Sequence, residues 1–423
     1  MPETITQAFN VFYENIQLTD NQIEDAVTKY KGVASALHKE YYPNTSYTGA
    51  TKVLVGSYGK ETYIRPPSDI DMIFVLPEGE FVRYEAMSCN AQSQLLQDIR
   101  NILIKTYPDT DVKAREKVVL VDFNGHKVEV IPAWKRPNGF YRIPDTPDGG
   151  CWQEWDYDGE NAKIKNLNKK RNGKVLKLIK MIKCWARNIT APDCISSYTI
   201  ENHVINFLSV YNPKHKTMAL VTKDFFRYMS YVVEQEGKTC IDTAFGRAEK
   251  ACDYQGDGNL EAASDEWRKI FGDDFPKVYV NNDEKSELLE TYPSLDEEYL
   301  FEQNTPVRIN SKYNLSIECL AKQDGWRKKS IDLLPFLKAN KGLEFTVCST
   351  NIPPPYYIKW KVRNFGEEAL LIDKLRGKIE PCNKGYDTRT ESTLYNGEHY
   401  VECYAIKDGA CVAMDIMSVP IQK

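Results

Sequence analysis

The sequence predicts an α+β protein: a palm of mixed strands and helices, then a helical lobe, then a small β-sandwich-like domain. Three observations support this class. Strand and helix patterns alternate up to about residue 135, helical periodicity dominates from 168 to 271, and short period-two strands follow Tyr313. A chain of 423 residues is also too long for one ordinary hydrophobic core, so two or three domains are expected.

The palm is predicted from a helix, two strands, a second helix and a hairpin. Residues 8–40 have helical spacing of apolar side chains, interrupted near Thr19. Residues 137–159 are rich in Gly, Pro and aromatic side chains and are predicted to be irregular. The patterned segments between these two regions are a strand at Thr51–Val55, a strand at Asp71–Leu76, an amphipathic helix at Gln92–Tyr107, and a hairpin of Val118–Phe123 and Lys127–Ile131.

The rest of the chain is predicted to contain a helical lobe and a β-rich module. A linker is placed at the acidic, turn-rich stretch Asn281–Glu290. The domains are therefore expected at residues 1–165 (palm), 166–290 (helical lobe and linker) and 295–423 (β-rich module). Helices are predicted at Asn168–Arg187, Tyr198–Leu208, Lys223–Val233 and Ala262–Phe271.

The amino-acid composition favours a globular protein over a membrane-spanning or disulfide-rich one. The chain is 42% hydrophobic and 27% charged, as expected of a globular protein, and has no apolar run long enough to span a bilayer. Its 11 cysteines include no Cys-x-x-Cys pair, which favours a reduced, cytoplasmic protein over a disulfide framework or a structural zinc site. The net charge of −5 argues against a surface that binds nucleic acid broadly.

Two aspartates stand at the start of the second strand. Residues i and i+2 of a strand point to the same face, so Asp69 and Asp71 are expected side by side, ~7 Å apart along the backbone. Two such carboxylates repel each other unless a divalent cation lies between them, and Mg²⁺ prefers oxygen ligands shared with phosphates. A third carboxylate would complete a two-metal site. Glu129 on the hairpin is the main candidate, and Asp122 on its other strand is the alternative.

Gly56 and Ser57 precede this pair and suit a triphosphate. A glycine lets the backbone approach phosphate closely, and a serine hydroxyl can donate to it. In a two-metal site one ion activates an attacking hydroxyl and the other stabilises the leaving pyrophosphate. Each motif alone has ordinary explanations, since Asp-x-Asp is frequent by chance and most Gly-Ser pairs are plain turns. Their conjunction with a following apolar strand and a second acidic strand favours nucleotidyl transfer.

The segments Gly56–Leu76 and Val118–Ala133 resemble the polymerase-β-like nucleotidyltransferases. More narrowly, they resemble the cyclic GMP-AMP synthase/oligoadenylate synthetase branch, including the bacterial CD-NTases of anti-phage (CBASS) signalling. The stretches "KLIKMIKCWARN" (177–188) and "SSYTIENHVINFL" (196–208) resemble two further helices of that family. The resemblance implies a polymerase-β-like palm with a helical lobe, spanning roughly residues 1–275.

The same resemblance implies roles for three more residues. Lys183 and Ser197 would hold the donor triphosphate, and Tyr198 would stack on a base. Two Mg²⁺ ions would be bound, with Mn²⁺ as a possible substitute. The chain departs from the family in two places: the third acid is more commonly aspartate, and Lys60-Glu61-Thr62 stands where Arg-Gly-Thr is frequent.

The C-terminal module also resembles a known family. "PPPYYIKWKVRNFGEEA" (353–369), "LRGKI" (375–379) and "ESTLYNGEHYVECYAIKDGACVA" (391–413) are similar to the adenylyl/guanylyl cyclase and SMODS C-terminal sensor domain. The resemblance implies a β-sandwich that senses a ligand and adjusts synthesis. The identity of that ligand does not follow from the residues.

The function expected is Mg²⁺-dependent condensation of nucleoside triphosphates, ATP among them, into a cyclic di- or trinucleotide second messenger. The messenger would act on a downstream effector. Three alternatives remain: a synthetase of linear oligonucleotides, a catalytically inactive nucleotide sensor, and a toxin that transfers nucleotides to a macromolecule.

Overall fold

The computed structural model describes residues 2–421 except 88, 124, 190–194, 215, 235–236, 280–296, 310–311, 323–326, 335–336, 338–340, 365–375 and 394–396. The chain forms two compact units, residues 1–200 with 267–278 and residues 201–266 with 279–423. The predicted linker Asn281–Glu290 lies outside the described residues. The three-domain division predicted from the sequence stays a prediction, and the grouping of 201–266 with the C-terminal residues was not anticipated.

The first unit contains a seven-stranded mixed sheet. Five strands follow the order β1-β2-β5-β4-β3, and β6 pairs with both β5 and β7. The pair β2–β5 is parallel, whereas the other pairs in this sheet are antiparallel. The strands are β1 Lys52–Leu54, β2 Ile70–Val75, β3 Asp111–Arg115, β4 Val118–Phe123, β5 His126–Lys135, β6 Tyr141–Asp145 and β7 Cys151–Trp155.

The helices of this unit largely follow the predicted pattern. The predicted interruption near Thr19 is confirmed, because Thr19 and Gln22 form a capping box that starts a new helix. The predicted helix Asn168–Arg187 is two helices separated at Gly173, whose φ is +79°. The helices are α1 Ile5–Asn15, α2 Asp20–Tyr41, α3 Gly56–Gly59, α4 Glu78–Glu85, α5 Ala91–Thr106, α6 Tyr157–Lys170 and α7 Lys174–Asn188.

The two faces of β2 have different neighbours. Met72 and Phe74 are fully buried in a core that also contains the apolar stripes of α2 and α5. Ile73 points to the opposite face and joins a smaller core with Ala133 and Tyr141. Because side chains alternate along a strand, Asp71 lies on the same face as Ile73. The main core thus fixes β2 from one side and leaves its acidic residue on the other.

Residues 137–159 are not irregular, as the sequence suggested, but contain the hairpin β6–β7. Tyr141 pairs with Trp155, and Arg142 forms an ion pair of 2.7 Å with Glu154 across the two strands. The Gly and Pro residues that indicated irregular structure lie mainly in the turns at either end of β6. Turn residues on both sides of short strands obscured the period-two pattern.

The chain returns to the first unit at residues 267–278. Trp267, Phe271 and Phe275 surround Phe9 of α1, with ring centroids 4.9, 6.2 and 5.1 Å from it. Aromatic pairs at these separations stabilise beyond the area they bury. This cluster attaches the end of a distant segment to the N-terminal helix.

The second unit begins with helices. They are the remainder of α8 (Ser197–Val210), then α9 (Met218–Val232), α10 (Lys238–Gly256) and the start of α11 (Leu260–Phe271). Helix α10 was not predicted, because the apolar side chains it buries are Ile241 and three alanines, Ala244, Ala248 and Ala251. Alanine contributes little to a hydrophobic pattern, so the stripe is weak in the sequence.

The C-terminal residues form the predicted β-sandwich. One sheet has the order β13-β10-β8-β9 and the other the order β12-β11-β14-β15. Phe345 and Trp360 are buried in the core between the two sheets. The strands are β8 Leu315–Lys322, β9 Lys329–Ser330, β10 Gly342–Thr350, β11 Tyr357–Asn364, β12 Ile379–Pro381, β13 Thr388–Ser392, β14 Gly397–Lys407 and β15 Ala410–Ile421.

An ion cluster is buried within the second unit, at the opposite face of β11. Glu297 is 2.7 Å from the Nζ of Lys361 and 3.7 Å from the guanidinium of Arg363, and it also contacts Lys216. Lys361, only 1% exposed, lies 3.1 Å from Glu402 as well. Buried charges of this kind are tolerated only when each has partners.

Among the described helices, none has the length and apolar character required to cross a membrane.

Candidate active site

Asp71 and Glu129 occupy matched positions on the two parallel strands of the first sheet. The register pairs Ile70 with Val128 and Asp71 with Glu129. Neighbouring strands lie about 4.8 Å apart, so side chains at paired positions on the same face meet. The alternation that buries Val128 and Val130 in the core turns Glu129 to the face of Asp71. The sheet therefore brings together two of the three acids predicted from the sequence.

The electrostatics of this pair are those of two carboxyl groups sharing a proton. Burial and the charges of Glu129 and Asp69 raise the pKa of Asp71 to about 7, and a hydrogen bond with Glu129 contributes. Burial and the charge of Asp69 also raise the pKa of Glu129, while its hydrogen bond with Asp71 opposes that shift. The proton thus resides on Asp71, which donates to Glu129. Lys183 favours the ionised form of Asp71 and lies within electrostatic reach of it.

Asp69 lies just outside β2 and is exposed, so it is less constrained than the other two acids. Its charge nevertheless raises the pKa of both Asp71 and Glu129. Across the part of the chain that the structure describes, no three or more His, Cys, Asp or Glu side chains are arranged as a formed metal centre. The structure thus joins Asp71 and Glu129 closely and leaves Asp69 beside them.

The chemistry of the donor set fits a divalent cation. Asp71 and Glu129 are hard oxygen ligands, the type that Mg²⁺ and Mn²⁺ prefer. Two adjacent carboxylates repel each other when both are ionised, and this repulsion contributes to the raised pKa of Asp71. A cation bound by Asp71, Glu129 and the nearby Asp69 would relieve that repulsion and favour the ionised form of all three acids. We therefore treat the three acids as residues that fit a metal ion.

The alternative third acid, Asp122, is less well placed. It lies on β4 opposite Lys127, whose Nζ is 3.9 Å from its carboxylate. Strand β5 separates β4 from β2, so Asp122 is two strand spacings from β2, or about 10 Å. Its position favours Glu129 as the residue that acts with Asp71.

The Gly-Ser turn is built around Asp71. Gly56 has φ +54°, and a Cβ at this position would be 1.9 Å from the Oδ2 of Asp71. The backbone N–H of Val55 donates to the carbonyl of Asp71 at 2.9 Å, which fixes the turn to β2. Only glycine fits here, because it has neither a Cβ to clash nor a penalty for positive φ. The hydroxyl of Ser57 lies 3.1 Å from that of Ser68, the residue before Asp69.

Lys183 is buried beside the acids rather than solvated. It is 7% exposed, and its Nζ donates to the hydroxyl of Thr62 at 2.9 Å. Thr62 is itself fully buried, and its backbone N–H donates to the carbonyl of Ser57 at 2.9 Å. Thr62 thus connects the lysine to the Gly-Ser turn, a role that the sequence analysis missed.

Two further lysines lie in this region and were not singled out from the sequence. Lys180, one turn before Lys183, donates to Gln17 at 2.7 Å and lies 4.5 Å from the ring centre of Tyr63. Burial lowers the pKa of Lys180 to about 8. Lys60 is 7% exposed. For Lys180 the available signal was the recurrence of lysines along α7 at positions 174, 177, 180 and 183, but these positions lie off the apolar face, which normally indicates exposure to solvent.

Ser197 and Tyr198 open helix α8 and are exposed. Ser196 caps the helix, because its hydroxyl accepts from the backbone N–H of Thr199 at 3.1 Å. The hydroxyl of Ser197 is therefore not needed as the cap. The ring of Tyr198 is 62% exposed and lies 5.7 Å from the Nζ of Lys60. An exposed ring next to the predicted triphosphate region is compatible with stacking on a base.

Two family models match separate parts of the chain. Residues 4–168 match the Second Messenger Oligonucleotide or Dinucleotide Synthetase domain, known as SMODS. Residues 295–422 match the Adenylyl/Guanylyl and SMODS C-terminal sensor domain. The first model includes Asp69, Asp71 and Glu129, and the second includes the whole β-sandwich.

Relatives with assigned names cover much of the chain. A probable cyclic nucleotide synthase of Bacillus cereus is 25% identical over 287 residues, which are 54% of this chain and 83% of that protein. A cyclic AMP-AMP-AMP synthase of Acinetobacter is 21% identical over 304 residues, 65% of this chain and 86% of that protein. Among solved structures, CdnC of Escherichia coli in complex with HORMA-deltaN is 17% identical, covers 64% of this chain and 98% of its own, and has a TM-score of 0.49.

The two domain matches and the named relatives agree with the resemblance found in the motifs. The structure contains both the mixed sheet with flanking helices and the C-terminal sandwich that the motifs predicted. The chain thus combines the synthetase domain of the CD-NTases, nucleotidyltransferases that synthesise cyclic oligonucleotide second messengers, with a C-terminal sensor domain.

Proposed function

We propose that this protein condenses nucleoside triphosphates into a cyclic di- or trinucleotide at the acidic face of β2 and β5. The hydroxyl oxygen of one nucleotide attacks the α-phosphorus of another, a phosphodiester bond forms, and pyrophosphate leaves. ATP is the first substrate to consider, because one relative is named for a product of three AMP units. The proposal rests on the register that places Asp71 beside Glu129 on the two parallel strands.

Each site residue has a proposed role. Asp71 and Glu129, with Asp69 beside them, hold two divalent cations, Mg²⁺ or, in its place, Mn²⁺. When bound, these ions activate the attacking hydroxyl and stabilise the charge on the leaving pyrophosphate. Gly56 and Ser57 admit the triphosphate to the turn, because the backbone there carries no side chain that would block it.

The remaining charge of the triphosphate is assigned to Lys183 and Ser197. Lys183 has a desolvated ammonium group held by Thr62, so it is oriented before the substrate arrives. Ser197, exposed at the start of α8, donates to the same triphosphate, and Tyr198 supports a base. The buried Lys180 adds positive charge one helical turn away from Lys183.

The C-terminal sandwich is proposed to adjust the rate of synthesis in response to a ligand, as the description of its family model implies. The product is proposed to act on a separate effector in the bacterial cytoplasm. Neither task needs residues of the acidic site, since all three acids precede residue 130.

The test is to incubate purified full-length protein with each labelled triphosphate and Mg²⁺, then to treat the products with phosphatase and resolve them by mass. A phosphatase-resistant product with the mass of a ring supports the proposal. A product that retains a 5′-triphosphate would indicate a linear oligonucleotide synthetase. Label transferred to protein or RNA would indicate a nucleotidyl-transferring toxin. Asp71→Asn serves as the inactive control in every arm.

A further inference from the structure

A cavity of about 220 Å³ lies between the two sheets of the C-terminal sandwich. It opens where β10 and β14 begin and where β11 ends. Its apolar wall is formed by buried side chains from four strands of both sheets: Leu343, Phe345, Val362, Val401, Val419 and Ile421. Packed cores contain few voids larger than a water molecule, so this cavity, which is open at one end, offers room that the packed part of the core lacks.

Polar residues occupy inward positions at one end of this cavity. Asn364 and His399 are paired across β11 and β14, two residues along from the pair Val362 and Val401 that faces the core. The alternation of a strand therefore points Asn364 and His399 into the cavity, where an apolar residue would be expected. The Nδ1 of His399 lies 3.1 Å from the Oδ1 of Asn364.

The facing sheet also contributes a polar side chain. Glu391 of β13 is in register with the apolar Leu343 of β10 and lines the same space. Arg376 donates to both oxygens of Glu391, at 2.7 and 3.3 Å. Arg389 donates to Glu391 as well, at 2.7 Å, and also pairs with Glu380.

The charges at the polar end balance. Arg376 and Arg389 are positive, and Glu380 and Glu391 are negative, so each guanidinium has a carboxylate partner. Arg376 is already paired with Glu391, and the carboxylate of Glu391 lines the same cavity and would repel an anionic ligand. The balance favours a ligand without net charge that offers hydrogen-bonding atoms at one edge.

The size of the cavity limits the ligand. An engineered cavity of about 150 Å³ with Leu, Ile and Phe walls stays dry and binds benzene. A space of about 220 Å³ therefore has room for one or two fused rings. The apolar wall suits the ring faces, and the polar end suits ring nitrogens or an amide edge.

We infer that this cavity binds an uncharged heteroaromatic molecule of one or two rings, with its polar edge toward Asn364, His399 and Glu391. The inference deepens the proposed function, because it locates the ligand site of the domain proposed to adjust synthesis. Binding itself does not require nucleotidyl transfer. The two ideas can therefore fail independently.

The probes are indole, its hydrocarbon isostere indene, and the anion indole-2-carboxylate, each titrated calorimetrically into the full-length protein without nucleotide. Indole should bind saturably with one site per chain and more tightly than either of the other two. The cavity-filling variant Val419→Phe should weaken indole binding by about tenfold or more, because the new ring takes the space. No saturable indole binding up to its solubility limit, or tighter binding of the carboxylate, would overturn the inference.

Val412→Phe is the matched control, since Val412 lies on the same strand and in the same core but does not line the cavity. It should lower the melting temperature through overpacking yet keep indole binding, whereas Val419→Phe should be the better tolerated of the two. Equal loss of melting temperature in both variants would contradict an open cavity at Val419.

The Asp71→Asn variant separates this inference from the proposed function. It should bind indole as the unmodified protein does, although it makes no product. Saturating indole should change the rate of synthesis by the unmodified protein and not that by Val419→Phe. An unchanged rate in both proteins would remove the link between the cavity and synthesis.

Discussion

Asp71 and Glu129 face each other across two parallel strands and share a hydrogen bond, although both are acids. The sheet enforces this proximity, because the residues flanking each acid are buried in a common core and fix the register. Keeping two acids together in this way costs stability unless a cation is bound.

The first prediction concerns pH in the absence of divalent cations. The pKa of Asp71 is raised to about 7 in the folded protein, so folding favours its protonated form. Stability from this group is full below its unfolded pKa, near 4, and is lost as pH rises through about 7. In chelator, the free energy of unfolding of the unmodified protein should fall relative to that of Asp71→Asn by up to about 1.4 kcal/mol per pH unit between pH 5 and 7, and the difference should level off by pH 8.

Both proteins contain the same histidines, so the difference between the two profiles reports on Asp71 and its interaction with Glu129. Adding Mg²⁺ should remove most of that difference at pH 8, because the cation replaces the shared proton. Parallel profiles for the two proteins in chelator would show that Asp71 ionises normally and that the acids do not interact.

The second prediction concerns the close approach of Gly56 to Asp71. Gly56→Ala would place a Cβ 1.9 Å from the Oδ2 of Asp71 and displace its carboxylate. Synthesis should fall severely, and the melting temperature should fall as well. Gly139→Ala is the control, because Gly139 also has positive φ, +88°, but no atom of the described residues lies within 4 Å of an added Cβ. That variant should lose only about 1–2 kcal/mol of stability and remain active. Equal activity of the two variants would contradict the proposed contact.

The third prediction concerns Lys183. Replacing it with alanine should weaken triphosphate binding by about 1.5–3 kcal/mol, the range for a hydrogen bond to a charged group. The control is Lys177→Ala. Lys177 lies on the same helix, with its Nζ 5.1 Å from the ring centre of Tyr13, and its replacement should leave triphosphate binding unchanged. Titration of a non-hydrolysable triphosphate measures both. An unchanged affinity of Lys183→Ala for the triphosphate would show that Lys183 has a structural role and does not bind the substrate.

The fourth prediction concerns the buried ion cluster of the second unit. Burial alone would raise the pKa of Glu297, but the charges of Lys216, Lys361 and Arg363 outweigh it and hold the pKa well below its usual range. Glu297→Gln leaves the buried Lys361 without one of its two carboxylate partners and should cost about 3–5 kcal/mol in the free energy of unfolding.

The control for this substitution is Glu344→Gln. Glu344 pairs with Lys328 and Lys384, each at 2.6 Å, near the surface. Losing those pairs should cost less than about 1 kcal/mol. Since the pKa of Glu297 is lowered by folding, its stabilising effect should also disappear as pH falls well below 4. A small effect of Glu297→Gln at neutral pH would show that the cluster is not needed.

Much of the acidic site could be predicted because its elements have strong local patterns. The apolar run after Asp71 and the alternating hairpin around Glu129 each specify a strand, and a strand fixes which side chains share a face. What could not be predicted is pairing between distant strands. The parallel register of Asp71 with Glu129 depends on a core formed with α2 and α5, which no local pattern reveals.

The lysines were harder to predict for a related reason. Periodicity placed Lys180 and Lys183 off the apolar stripe of α7, and a polar face is normally solvated. Both are buried because Gln17, Thr62 and Tyr63, distant in sequence, surround them. The buried ion cluster was not predicted for the same reason. The alternation of β11 places Lys361 and Arg363 on the face opposite its apolar residues, which is normally exposed to solvent. Tertiary partners, not local pattern, decide whether such charges are exposed.

The most direct test of the central claim compares three conservative substitutions in Mg²⁺-dependent synthesis under identical conditions. Asp71→Asn and Glu129→Gln keep the side-chain shape but remove charge, and each should lower product formation by about a thousandfold. Asp122→Asn, on the strand beyond β5, should remain close to the unmodified protein. Melting temperatures of all three confirm that they fold. Substantial synthesis by Asp71→Asn or Glu129→Gln, or its loss in Asp122→Asn alone, would contradict the assignment of the active site to the acids of β2 and β5.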